Sequence, residues 1–234
     1  MRTTLYLLNV DNYAPGITAL TYPLLRYYAD RIGAEVYMIT SRKFPDWPVT
    51  YEKLQIYELA QTRGDTFSLY IDSDALIHPE TPDWSDFLPR DTVAHNGADM
   101  AAIRWRYDHY FRRDGRNIGS CDWYTMAWDW GVDLWRPLED LTLAEALENI
   151  RPTIHEQQAG ITREHLIDDY VLSRNIARFG LKATTLLALL PKIGLPDAAL
   201  SWHVYDLCVE DKVTKMEEVL KTWNLPDAVR TYGT

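Results

Sequence analysis

The chain has 234 residues, 47% of them hydrophobic, which is enough for one sizeable core and suits an ordinary α/β domain. A formal net charge of −10 argues against non-specific binding to nucleic acid or to an anionic membrane surface, but leaves room for a local basic pocket. No apolar run approaches the length of a membrane span, the opening run is too short for a signal peptide, and Cys121 and Cys208 lack metal-ligand spacing; the expectation is a reducing, cytoplasmic setting.

Residues 4–10 are predicted to form a first buried strand, followed by a turn-rich loop at 11–16. Leu20, Leu24, Tyr27, Tyr28 and Ile32 recur at helical spacing over 17–32, and Gly33 stops that helix. Residues 35–40 form a second strand. The resulting βαβ unit implies a parallel sheet with a ligand crevice at the strands' carboxyl ends. After a loop at 41–48, Thr50 is expected to cap a helix running to Gln61 and closed by Gly64. Residues 66–77 then read TFSLYIDSDALI, an apolar strand interrupted by two carboxylates.

Pro79, Pro82 and Pro89 break the next stretch, and 92–95 form a further strand. Five arginines (Arg104, Arg106, Arg112, Arg113 and Arg116) fall in an irregular segment, where an anionic acceptor or a diphosphate could meet them. Residues 126–135 read as a short strand or strand–turn stopped by Pro137. Helices follow at 141–150 and 168–179, then a buried strand at 182–190, then Ser201-Trp202-His203 and a last helix at 211–223. There is no repeat, low-complexity tract or linker, so one domain over 1–234 is expected.

Asp72 and Asp74 carry the chemistry. In a strand, residues i and i+2 point to one face, so the two carboxylates could converge on one hard cation such as Mg²⁺ or Mn²⁺, and such ions commonly arrive with phosphates. The setting adds further detail. Pro48-Val49-Thr50-Tyr51-Glu52-Lys53, a helix, and then Leu69-Tyr70-Ile71-Asp72-Ser73-Asp74 resemble nucleotide-sugar glycosyltransferases of the GT-A fold, in particular the galactosyltransferase and glycogenin-like groups. Trp128-Asp129-Trp130-Gly131-Val132 resembles the strand that borders the donor sugar in those enzymes. Asp168-Asp169-Tyr170-Val171 resembles the acidic motif opening a late helix, and Trp202-His203 the late histidine of the metal site. The similarity spans roughly residues 4–205. Asp129 stands where the family often has Asn, and the family's Gly-x-Lys-Pro-Trp run after the late histidine is absent.

The resemblance implies a single GT-A-like, Rossmann-like α/β domain with a mixed, mainly parallel sheet flanked by helices. It implies a metal-dependent hexosyltransferase that moves a sugar from a nucleotide-diphosphate donor, UDP-linked by expectation, to a glycan or similar acceptor. Asp72, Asp74 and His203 would hold Mn²⁺ (or Mg²⁺). Asn9, Val10, Asp11, Tyr13, Lys53, Asp72 and Ser73 would hold the donor, with Tyr13 stacking on the base. Asp168 or Asp169 would serve as the acceptor base, and Asp129 could act near the anomeric carbon. Trp105, Trp123, Trp128 and Trp130 are candidate sugar walls.

Three other readings use the same residues. A haloacid-dehalogenase-type Mg²⁺ phosphatase also places Asp-x-Asp after an apolar strand, but its motif continues with Gly, where this chain has Ala75-Leu76. A nucleotidyltransferase would need a Gly-rich first loop, and residues 9–16 hold only Gly16. A non-catalytic sugar-nucleotide-binding module of the same fold would keep the site without the reaction.

Overall fold

A computed structural model describes residues 1–95, 123–152, 154–186, 188–189, 201–203, 208–223, 225–227 and 229. The opening βαβ unit forms as expected. Strand β1 (Thr3–Leu8) leads through a short 3₁₀ turn (Val10–Asn12) into helix α1 (Pro15–Ile32), and β2 (Glu35–Ile39) returns parallel to β1. Pro15 starts the helix, where its missing N–H costs nothing, and Gly33 ends it at φ +69°.

The 48–64 segment differs from expectation. Thr50 caps no helix, and its hydroxyl has no hydrogen-bond partner. Pro48 instead opens a 3₁₀ segment (Val49–Gln55) through a Tyr51 N–H bond to its carbonyl at 3.0 Å. The α-helix proper, α2 (Ile56–Arg63), starts later and ends at Gly64. Strand β3 (Phe67–Ile71) stops one residue before Asp72, and β4 (Ala75–Ile77) resumes after a tight turn.

Strands β5 (Val93–His95) and β6 (Tyr124–Trp128) complete the centre of the sheet, and a 3₁₀ segment (Asp129–Trp135) follows β6. Helices α3 (Leu143–Glu148), α4 (Ile154–Gln158) and α5 (Ile167–Phe179) come next; a Thr142–Glu145 capping box starts α3. The buried strand expected at 182–190 shrinks to β7 (Ala183–Thr185), half-buried at the sheet edge, because helical turns begin at Leu186. Strand β8 (Ser201–His203) pairs antiparallel with β4, and α6 (Val209–Thr222) closes the described chain.

The main sheet runs β2-β1-β3-β6-β5-β7. Only β6 opposes its neighbours, so the sheet is mixed and mainly parallel. The two-residue period of the strands sorts the core into two layers. Leu5, Leu7, Leu69 and Ile71 pack with α1 and α6 residues Leu24, Tyr28 and Met216. Tyr6, Tyr70 and Val93 pack on the other side with Tyr51, Leu54, Ile167 and Val171. No helix among the described residues is long and apolar enough to cross a membrane.

Gly131 is closely packed. A Cβ there would lie 2.7 Å from Val93 Cγ1 and 3.3 Å from Ala127 Cβ. Valine is stiff and cannot swing aside. Gly131→Ala should therefore lower stability by about 1–3 kcal/mol, an overpacking cost that urea denaturation would read directly.

Candidate functional site

The candidate site assembles at the carboxyl ends of β1, β2 and β3, the usual crevice of a parallel sheet. Register places Tyr6 of β1 beside Tyr70 of β3, so the loop after Leu8 lies next to the turn after Ile71. Two residues of that first loop are buried: Val10, and Asn9, whose Oδ1 has no hydrogen-bond partner. Asp11, Asn12 and Ala14 adopt φ of +56°, +54° and +49°. Non-glycine residues rarely take the left-handed region, and each such residue costs about 1–2 kcal/mol, least for Asp and Asn. Tyr13, within this loop, stands 56% exposed.

The Asp72-Ser73-Asp74 turn is held on several sides. The Asp72 N–H donates to the Trp123 carbonyl at 2.8 Å, and the Ala75 N–H to the Asp72 carbonyl at 3.1 Å. Thr21 of α1 donates its hydroxyl to the Ser73 carbonyl at 2.7 Å. Because β3 has already ended, the i, i+2 strand geometry does not place these carboxylates. A turn does, and each carboxylate meets a different cation.

Asp72 accepts a hydrogen bond from the Tyr70 hydroxyl, and Lys53 Nζ lies 3.6 Å from its Oδ1. The same ammonium makes a close ion pair with Asp168 of α5 and sits 4.6 Å from the Tyr70 ring centroid. Lys53 is buried rather than a solvated surface lysine. Burial alone would pull its pKa down, but Asp168 and Asp72 outweigh that and hold it well above the ordinary lysine value. Burial and the Asp72 charge push the Tyr70 hydroxyl well upward.

The 3₁₀ segment that carries Lys53 is itself firmly fixed. Buried Glu52 accepts from Arg42 Nε at 2.7 Å, from the Lys43 and Phe44 amides at 2.9 and 3.0 Å, and from Gln55 at 2.8 Å. Tyr51 stacks on Trp47 at 4.1 Å and accepts from the Leu138 amide.

Asp74 meets Lys212 of α6, with Nζ 2.5 Å from Oδ2. Both side chains are largely covered, at 10% and 16% exposure. Two hard carboxylates that already attract ammonium groups fit a hard divalent cation. The third expected ligand, His203, lies in β8 with its backbone paired to Ala75, one residue after Asp74. Among the described residues, no three His, Cys, Asp or Glu side chains gather as a metal cluster.

Asp168 and Asp169 open α5 and part company. Asp168 is buried against Lys53, while Asp169 is half-buried and its charge reaches His95 on β5. His95 shares a row with Thr125 of β6 and Tyr70 of β3, so this row runs from Asp169's neighbour back to Asp72's.

Asp129 does not join the site. Its amide donates to the Thr66 carbonyl at the start of β3, six residues before Asp72 and so roughly 20 Å away along the strand. The 128–132 stretch is a strand end followed by a 3₁₀ segment, and β6 runs antiparallel, so its beginning at Trp123 borders Asp72 instead. Trp128 and Trp130 leave the site with Asp129. Arg104 to Arg116 and Trp105 lie outside the described residues. Reading the sequence missed Tyr70, Lys212 and His95. Tyr70 was within reach, two residues before Asp72, whereas nothing in the local sequence marks Lys212.

Solved structures with this arrangement of chain exist. A glycosyltransferase involved in glycosylation of the major capsid of PBCV-1 superposes with a TM-score of 0.54 at 13% identity, over 93% of this chain and 100% of that one. The fold is that of the GT-A glycosyltransferases. The galactosyltransferase LgtC, solved with donor and acceptor sugar analogues, gives a TM-score of 0.47 at 13% identity over 98% of this chain and 99% of that one. No protein-family model and no curated relative matches the chain.

The His95 environment predicts a pH effect. Burial draws its pKa from 6.5 to about 4, against the opposing pull of Asp169. Below about pH 6.5 the unfolded chain takes up a proton here that the folded chain refuses, so stability falls towards pH 4, by at most about 3 kcal/mol. Replacing His95→Gln should flatten that part of the stability–pH curve, measured by urea denaturation at pH 7, 5.5 and 4.5.

Proposed function

We propose that this chain, acting as one GT-A domain over residues 1–234, transfers a sugar from a nucleotide-diphosphate donor to a hydroxyl of a glycan or similar acceptor. One observation carries this reading. Asp72, Asp74, Lys53 and Asp168, from three separate segments, converge beside the β1 loop at the carboxyl end of the sheet. The fold shared with the PBCV-1 enzyme supports it.

In this reading the Asn9–Tyr13 loop receives the nucleoside. Tyr13 offers a ring to the base, and Asn9 an unsatisfied carbonyl oxygen to a base N–H such as uracil's. Asp72 and Asp74 would hold Mn²⁺ or Mg²⁺, with His203 as the proposed third ligand; such an ion supplies positive charge to the diphosphate as it leaves. Lys53 fixes Asp72 in place and contributes positive charge near the ribose or diphosphate, and Ser73 presents its backbone there.

Asp168 is engaged by Lys53, so its role is positional. The acceptor base falls to Asp169, the less buried of the pair. A base must reach the acceptor hydroxyl, and a carboxylate committed to a buried ammonium cannot readily do so. Asp129 has no part in this scheme.

Calorimetric titration with UDP and GDP, each with and without Mn²⁺, tests the reading. The expected result is binding of UDP that is much tighter with Mn²⁺ and is lost in Asp74→Ala, with the fold retained by circular dichroism. Absence of binding by either nucleotide, together with hydrolysis of a generic phosphate monoester, would establish the phosphatase reading instead. Asp169→Asn should cut turnover by about 10²-fold or more at unchanged UDP affinity, as expected for loss of a general base; unaltered turnover would remove Asp169 from that role.

A further inference from the structure

Asp72 and Asp74 lie one residue apart but hold cations of different standing. Lys53 is fixed from several sides, by Asp168, by Asp72 and by the Tyr70 ring. Lys212 comes from a helix 138 residues further along the chain and pairs with Asp74. It also sits in the first turn of that helix, since its amide donates to the Cys208 carbonyl at 2.9 Å. The aligned peptide dipoles place positive potential at a helix N-terminus, which disfavours a cation there. Neighbouring Glu210 and Asp211 suit that end; Lys212 does not. The Asp74 carboxylate is what draws its ammonium inward.

The rest of α6 does not depend on this ion pair. Met216 is fully buried in the core, and Val213 packs close to Gly16 of α1. A change of partner at Asp74 could therefore be felt in the first turn without undocking the helix.

We infer that Lys212 is a displaceable counter-cation: its ammonium and a divalent ion are alternative partners of Asp74, so entry of the ion releases Lys212 and loosens the first turn of α6. This rests on the reading of Asp72 and Asp74 as a metal site. The exchange leaves the metal-free carboxylate neutralised and half-dry, and it frees a lysine beside the site at the moment the ion arrives. Doubly charged, the ion outcompetes the ammonium; singly charged, the ammonium lowers the ion's apparent affinity.

Direct Mn²⁺ titration, without nucleotide and read by the electron paramagnetic resonance of free Mn²⁺, separates the possibilities. Lys212→Met should bind Mn²⁺ about tenfold more tightly than the unaltered protein, the change expected from losing one competing, partly covered ion pair. Asp74→Asn should abolish that binding. Equal or weaker affinity in Lys212→Met overturns the exchange while leaving the metal site intact. Absence of any Mn²⁺ binding that depends on Asp74 overturns the metal site and the exchange with it. Hydrogen exchange on the unaltered protein gives a second readout should the variant fail to fold. Saturating Mn²⁺ should speed exchange at residues 209–214 and leave the buried turn around Met216 unchanged; unaltered protection at 209–214 overturns the proposal.

Discussion

A buried ammonium between two carboxylates organises the crevice. Lys53 lies almost wholly out of water, and an uncompensated charge there would cost several kcal/mol. Asp168 and Asp72 remove that cost by coming to it from two different elements. The 3₁₀ segment, the β3 turn and the N-terminus of α5 are therefore not free to drift apart. Each is also held independently: Glu52 ties the 3₁₀ segment to its loop, Thr21 ties the turn to α1, and the Val171 face ties α5 to the sheet. A charge at the centre and apolar packing around it define one arrangement.

This arrangement explains how neighbouring carboxylates acquire separate duties. Asp72 and Asp168 share Lys53, which leaves each with a fixed direction. Asp74 lies two residues beyond Asp72, and Asp169 one beyond Asp168. Asp74 reaches Lys212 on the far helix, and Asp169 reaches towards His95 and the half-exposed side of α5. In each pair the two carboxylates meet different partners. In the proposed function, Asp74 would serve the ion beside the diphosphate and Asp169 the acceptor.

Much of this was legible in the sequence because it rests on local rules. The apolar run in TFSLYI marks a buried strand, Gly33 and Gly64 mark helix ends, and the βαβ unit dictates where the crevice opens. The errors have physical causes too. Pro48 opens a 3₁₀ segment where a helix capped by Thr50 and running to Gln61 was expected, and buried Lys53 lies in that segment. The direction of β6 is a tertiary matter: an antiparallel strand carries its end away from Asp72, and Asp129 goes with it. Lys212 could not be found locally at all. Its partner is set by how α6 crosses α1, and its position in a helical first turn looks unfavourable until Asp74 is seen beside it.

The central claim is that Lys53 and Asp168 act as one unit that positions Asp72. A double-mutant cycle of Lys53→Met and Asp168→Asn, read by urea denaturation, addresses it most directly. Each single replacement should destabilise strongly, because it takes from a buried charge its nearest counter-charge, and the pair together should cost much less than the sum, giving a coupling of about 2–3 kcal/mol. Additive effects, with coupling below about 0.5 kcal/mol, would contradict the account.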